Sequence, residues 1–283
     1  MMNNTIVRSL SGAIFLIVMT GSLLWNPVVF AVVMLLSVVI MMWEYLTISL
    51  GENFKPGKIL SIVTGMTIFT LFFIANAYGI SDRYLYLAAL PATLLFCSFI
   101  FEKNNKGEVM GEGYERAFFT ITAIIYIALP FALTNTILFG KDNSYNPNLL
   151  LSLFILLWSS DVGAYVFGMT FGQKNGHKLY PAISPKKSWE GFWGGLGVTL
   201  VSAFILDYTG FISVGLIHTL AIASIVSVFG VLGDLAESLF KRNFAVKDSG
   251  SILPGHGGLL DRFDGALIAF PVAIAYLKFF CLI

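Results

Sequence analysis

PVVFAVVMLLSVVIMMWEYLTISL, residues 27–50, carries one charged residue, Glu44, in 24 positions. An apolar run of that length is enough for a helix to cross a bilayer core, which takes about 20 residues. Asn26-Pro27 in front of it separates it from the preceding apolar run, because proline cannot continue a helix interior. Reading outward, comparable runs occupy roughly 9–25, 59–80, 84–101, 117–140, 148–170, 191–212, 214–240 and 265–282. The expectation is an all-α integral membrane protein, a polytopic bundle of about nine transmembrane helices (eight to ten). Composition agrees: a mean hydropathy of +0.82 and 26 Phe in 283 residues suit lipid as solvent. Arg8 precedes the first run without a small-residue cleavage site after Trp25, which reads as a retained span.

The basic residues follow an alternating pattern. With the N-terminus cytoplasmic, Arg8, Lys55, Lys58, Lys103, Lys106, Arg116, Lys174, Lys178, Lys186, Lys187, Lys241, Arg242, Lys247 and Arg262 fall on one side. These are 14 of the 17 basic residues, leaving Arg83, Lys141 and Lys278 opposite. That asymmetry follows the positive-inside rule. By composition the chain divides into N-terminal transmembrane helices at 1–101, a middle transmembrane region at 102–170 and a C-terminal transmembrane region at 171–283, with cytoplasmic loops at 171–190 and 241–264. A net charge of +1, with no basic cluster interleaved with aromatics, excludes nucleic acid as a partner class. Cys97 and Cys281 lie in distant apolar runs and read as buried free thiols. Glu44, the polar exception in the first half, reads as an interfacial or paired carboxylate.

Residues 233–265, GDLAESLFKRNFAVKDSGSILPGHGGLLDRFDG, depart from this oily background with nine formal charges in 33 positions. Ionisable groups at a membrane boundary are costly to desolvate, so a function is the default reading. Asp234, Glu237, Ser238 and Lys241 stand at i, i+3, i+4 and i+7 and share one helix face, which must look onto a bundle interior or a wet cavity. Glu237–Lys241 reads as a self-contained ion pair, which leaves Asp234 unexplained. Further on, Gly255, Gly257, Gly258 and Gly265 allow backbone conformations and close approaches that suit phosphate. Asp261 and Asp264 open the last helix. One of them could simply complement the helix dipole. Two carboxylates with Arg262 between them, facing Asp234, read as a divalent-metal site of the hard-oxygen type that Mg²⁺ takes.

A third constellation is the loop between residues 172 and 191. Lys186, Lys187 and Ser188 follow Pro185. The lysines read equally as surface anchors and as phosphate contacts, and the prolines with a hydroxyl at a helix start favour phosphate. Ser159, Ser160 and Asp161 interrupt the sixth apolar run, and Asp161 reads as part of a polar cavity. The glycine-rich run 191–197 would allow close helix contact, as in a homodimer.

Ser238-x-x-Lys241-Arg242, Lys247-Asp248, Pro254-Gly255-His256-Gly257-Gly258 and Asp261-Arg262-x-Asp264, at these spacings, closely resemble the signature of the phosphatidate cytidylyltransferase (CDP-diacylglycerol synthase) family, bacterial type. Similarity continues upstream in SDVGAYVFG, residues 160–168, and ISPKKSWEG, residues 183–191, which includes Ser184. The resemblance implies transfer of CMP from CTP to phosphatidic acid in the bacterial cytoplasmic (inner) membrane, with the site facing the cytoplasm. It implies one or two Mg²⁺ ions on Asp234 and Asp261, with Asp264, Asp248 and Asp161 as further candidates. Lys186, Lys187, Lys241, Arg242, Lys247 and Arg262 would share the phosphates, with Ser184, Ser188, Ser238 and the three loop glycines. His256 reads as a hydrogen-bond donor to phosphate. Two other readings stay open: another CTP-dependent membrane enzyme acting on a different lipid phosphate or a polyprenol, and an ion-coupled transporter using Asp161 and Asp234.

Overall fold

The computed structural model describes residues 4–51, 54–100, 113–140, 142–172 and 176–283; Lys103, Lys106, Lys141 and Lys174 of the charge pattern lie outside them. The protein is an all-α polytopic membrane protein, and the apolar runs expected to span are largely helical. Among the described residues, six helices are long and apolar enough to cross a membrane, and shorter apolar helices cover Leu10–Trp25 and Arg83–Phe99. By packing, the chain forms two units: Met1–Tyr145 with Asp248–Asp261, and Asn146–Lys247 with Arg262–Ile283.

The first unit holds α1 (Asn4–Trp25), α2 (Pro27–Leu50), α3 (Lys55–Tyr78), α4 (Ala89–Ile100), α5 (Gly113–Ala123) and α6 (Leu129–Leu138). The break expected at Asn26-Pro27 is a helix cap. Asn26 Oδ1 accepts from Val28 N at 2.8 Å and Val29 N at 3.3 Å, and Pro27 needs no partner in the first turn. Residues 84–101 were expected as one helix; Asp82–Ala88 is a 3₁₀ turn and the α-helix starts at Ala89. Pro91 then falls in the first turn, where its missing N–H costs nothing. The rod expected over 117–140 is broken by a π-turn, Ile124–Ala128, where Leu129 N–H reaches back to Ile124 O. Pro130 follows at once and cannot donate to Tyr126 O, so the bulge absorbs the lost helical bond. The core of this unit is apolar and includes Phe30, Met34, Met41, Met42, Phe69 and Phe131.

The second unit holds α7 (Asn148–Phe171), a two-stranded ribbon of β1 (Lys178–Tyr180) and β2 (Ser184–Ser188), α8 (Trp189–Tyr208), α9 (Leu216–Asn243) and, from Arg262 onward, α10 (Leu260–Phe279). Ser159 and Ser160 do not interrupt α7. They tie it to its neighbours, Ser159 Oγ accepting from Ser202 Oγ at 3.0 Å and Ser160 Oγ lying 2.9 Å from Ser227 Oγ. The glycines expected to allow close contact find it inside the chain. A Cβ on Gly195 would lie 2.8 Å from Ser160 O, and one on Gly191 would lie 2.9 Å from Ala164 O, so α7 and α8 touch through backbone. Phe154 anchors the core beneath, edge-on to Phe270 at 4.9 Å and Phe263 at 6.3 Å.

Large apolar side chains such as Ile17, Trp25, Tyr165, Val201 and Ile217 are exposed on the helices. In water such surface would be a liability; against lipid it is the expected outer face. Cys97 and Cys281 are free, as expected, but only part-buried and exposed respectively, because Cys281 lies beyond the end of α10.

Two glycines two residues apart on α8 should respond in opposite directions. Gly195→Ala forces a Cβ against Ser160 O and should lower stability by about 1–3 kcal/mol. Gly197 faces open space, and Gly197→Ala should be neutral or stabilise by up to about 1 kcal/mol through helix propensity. Thermal unfolding of both variants in detergent checks the pair.

Candidate active site

In the second unit the polar face of α9 is built as its spacing predicts. Glu237 is fully buried and pairs with Lys241 at 2.5 Å, one turn away, as the i,i+4 spacing predicts. Asp234 looks elsewhere. Its Oδ1 accepts from Ser238 Oγ at 3.2 Å, and its Oδ2 meets Lys187 Nζ at 2.5 Å. Lys187 arrives on β2, whose pairing (Lys178 with Ser188, Tyr180 with Ser184) turns the expected loop into a ribbon. Alternation along a strand sends Lys186 to the opposite face, where it is exposed. Ser188 is buried and caps α8, accepting from Gly191 N at 3.2 Å.

Asp161 on α7 feels the charges of Asp234, Lys187 and Arg262, and Asp264 on α10 feels those of Asp234, Asp161 and Lys187. Three carboxylates and two cations from α7, β2, α9 and α10 thus share one polar region. Glycine makes this possible. A Cβ on Gly233 would lie 2.4 Å from Asp264 O, and one on Gly265 would lie 3.3 Å from Gly230 O, so α9 and α10 meet backbone to backbone just where Asp234 and Asp264 sit. Asp264 Oδ1 also accepts from Gly265 N at 2.7 Å. The donor set is hard oxygen, which fits a cation such as Mg²⁺ in type. Among the described residues, no group of three or more His, Cys, Asp or Glu side chains forms a metal-holding cluster by itself. Lys241 belongs with Glu237. Arg242 is exposed, its guanidinium 3.4 Å from Val246 O, and Lys247 is exposed.

The glycine loop and Asp261 belong to the first unit. Leu253 N donates to Gly257 O at 3.1 Å and His256 N donates to Leu253 O at 2.9 Å, closing a tight turn in which Gly255 and Gly257 take φ of 75° and 82°. These are the two loop positions that need glycine for conformation. Gly258 is required for space instead, since a Cβ there would lie 2.1 Å from Ser249 Oγ and 2.7 Å from both Glu44 carboxylate oxygens. Asp261 Oδ2 accepts from Ser249 N at 2.9 Å, Ser249 Oγ at 3.0 Å and Gly258 N at 2.8 Å. The Gly258 N–H is therefore committed to Asp261. Asp248 is exposed beside Gly257.

His256 Nδ1 lies 2.7 Å from Ser11 Oγ, whose hydroxyl donates to Pro254 O at 2.9 Å. A hydroxyl has one hydrogen, so Nδ1 must be the donor to Ser11. A neutral His256 then presents a lone pair at Nε2, and only the imidazolium could donate from there to a phosphate.

Three residues absent from the expected site organise this loop: Glu44, Ser249 and Ser11. Glu44 was legible as a lone acid in an apolar run, without any hint of its partners. Ser249 and Ser11 carry no sequence signal, because a serine beside an island of charges looks like any loop serine.

Known proteins resemble this chain. The chain is 42% identical over 156 residues to a phosphatidate cytidylyltransferase of Staphylococcus aureus (strain COL), covering 55% of this chain and 57% of that protein. Over the same shares it is 41% identical to the phosphatidate cytidylyltransferase of Staphylococcus haemolyticus (strain JCSC1435) and 39% identical to that of Staphylococcus epidermidis (strain ATCC 35984 / DSM 28319 / BCRC 17069 / CCUG 31568 / BM 3577 / RP62A). The chain thus spans little more than half the length of the relatives it matches. The model of the Cytidylyltransferase family covers far more, matching residues 6–280. With a helical membrane fold and a family model that matches nearly its whole length, this chain belongs to the cytidylyltransferase family.

Proposed function

We propose that the protein is a phosphatidate cytidylyltransferase, transferring CMP from CTP to phosphatidic acid with release of pyrophosphate. In a chain of this family, the observation that carries the reading is the meeting of Asp161, Asp234, Asp264, Lys187 and Arg262 from separate elements in one polar region. A phosphate oxygen of phosphatidic acid attacks the α-phosphorus of CTP in line, and the bond to the β-phosphate breaks. The attacking phosphate monoester is already largely ionised near neutral pH, so positioning and charge neutralisation carry the catalysis and no strong general base is required.

Asp234 and Asp261 are the carboxylates proposed to hold Mg²⁺, as one ion or two, with Asp161, Asp264 and Asp248 as further oxygen donors. The metal would supply charge neutralisation at the phosphates. Lys187 beside Asp234 and Arg262, whose charge acts on Asp161, suit the triphosphate, and Lys186, Arg242 and Lys247, exposed and basic, suit incoming phosphate groups. Lys241 balances Glu237 and keeps the α9 face intact. The asymmetry of basic residues supports a site on the cytoplasmic face of a bacterial inner membrane, where a soluble nucleotide is available. A homodimer does not need the Gly191 and Gly195 surface, which α7 occupies.

Purified protein in detergent, given CTP and phosphatidic acid, should release pyrophosphate and form CDP-diacylglycerol only when Mg²⁺ is present. Mass spectrometry of the lipid product decides. A cytidylylated product formed only from another lipid phosphate or a polyprenyl phosphate would overturn the phosphatidate assignment and leave the reaction type.

Two substitutions test the roles. Asp261→Asn preserves an acceptor oxygen for Ser249 and Gly258, so the fold should persist while turnover falls about 100-fold or more. Near-normal turnover at saturating Mg²⁺ would remove Asp261 from the metal site. Lys187→Ala should lower kcat/KM for CTP by about 10–100-fold, since a charge-assisted contact to phosphate is lost.

A further inference from the structure

Glu44 is buried on α2, yet the proposed chemistry does not use it. Its carboxylate accepts from Leu259 N at 3.0 Å, Leu260 N at 2.9 Å and Ser249 Oγ at 3.2 Å, all more than 200 residues away in sequence. It is 8% exposed, and a carboxylate that far from water needs such donors. Two of the donors are N–H groups at the start of α10, where the helix dipole favours an anion. Glu44 also dictates its surroundings: a Cβ on Gly250 would lie 2.5 Å from Oε1, and one on Gly258 would lie 2.7 Å from either oxygen.

The link to the site is Ser249. Its hydroxyl lies 3.2 Å from Glu44 Oε2 and 3.0 Å from Asp261 Oδ2. One hydroxyl hydrogen cannot serve both acceptors fully, so Ser249 is shared between the carboxylates and its rotamer is set by both. Asp261 takes the rest of its Oδ2 bonds from the backbone of Ser249 and Gly258, and the Glu44 carboxylate fills the space around both residues.

We infer that Glu44 is a positioning residue for the proposed transfer: through Ser249 and the opening N–H groups of α10 it holds the carboxylate of Asp261 in its working orientation. This rests on the function proposed above. A helix cap alone would account for the bonds to Leu259 and Leu260, but not for the shared serine.

Glu44→Gln and Ser249→Ala, singly and together, separate the two roles. Glutamine keeps the size but turns one acceptor into a donor facing donors. Alanine at 249 leaves the helix cap and the backbone bonds of Asp261 intact and removes only the bridge. Each single variant should lower kcat about 10–100-fold, as loss of a group supporting a metal ligand does. KM for phosphatidic acid should stay unchanged, and the double variant should be much less impaired than the product of the two effects.

A second readout needs no turnover: the rise in Tm that Mg²⁺ produces in the parent protein should shrink in both single variants. Wild-type kcat and an unchanged Mg²⁺ response in Ser249→Ala would overturn the inference, whether or not Glu44→Gln folds. An inactive parent protein would instead overturn the proposed function, and the Mg²⁺ response of the variants would still judge Glu44.

Discussion

A carboxylate withdrawn from water must find donors or countercharge, and the polar architecture of this protein follows from how each acid does so. Glu237 is answered by Lys241 one turn along its own helix. Glu44 is answered by backbone N–H groups and a hydroxyl from a distant loop. Asp261 is answered three times on one oxygen by that same loop. Asp234 has a hydroxyl and Lys187, and it shares its region with two further aspartates. Glu237 and Glu44 are balanced within the protein. The group around Asp161, Asp234 and Asp264 instead sets three carboxyl groups from three helices near Lys187 and Arg262.

Glycine does two separate jobs in building these sites. At Gly255 and Gly257 it permits a positive φ that closes the turn before Asp261. At Gly233, Gly258 and Gly265 it is needed because another group occupies the space of a side chain. The second job ties the glycines to particular acids: Gly258 to Glu44 and Ser249, and Gly233 to the backbone of Asp264. An added methyl at either position would displace those groups.

The apolar rods were legible because length and hydropathy are local properties, and a bilayer leaves a chain few alternatives to helix. Their irregularities were less so. Pro91 and Pro130 mark the 3₁₀ start and the π-turn, but whether a proline ends, kinks or bulges a rod depends on which neighbours can take up the freed carbonyl. The ribbon carrying Lys187 was read as a loop, because three- and five-residue strands joined by a turn leave almost no periodic signal. The stripe on α9 was visible in full, since i, i+3, i+4 and i+7 form one face whatever surrounds the helix.

By itself the sequence determined the helical membrane class, the Glu237–Lys241 pair and the set of residues from which a phosphate- and metal-handling site would be drawn. All of these depend on spacing within one helix or on composition over one run. Only the tertiary structure decided that Asp161, Lys187, Asp234 and Asp264 share one region, that Ser188 caps a helix, and that Ser11 fixes the proton of His256 at Nδ1. It alone revealed Glu44 as the partner of the glycine loop. Partners separated by more than 200 residues leave no periodic trace in a single chain; backbone contact at glycines and the demand of buried carboxylates for donors bring them together.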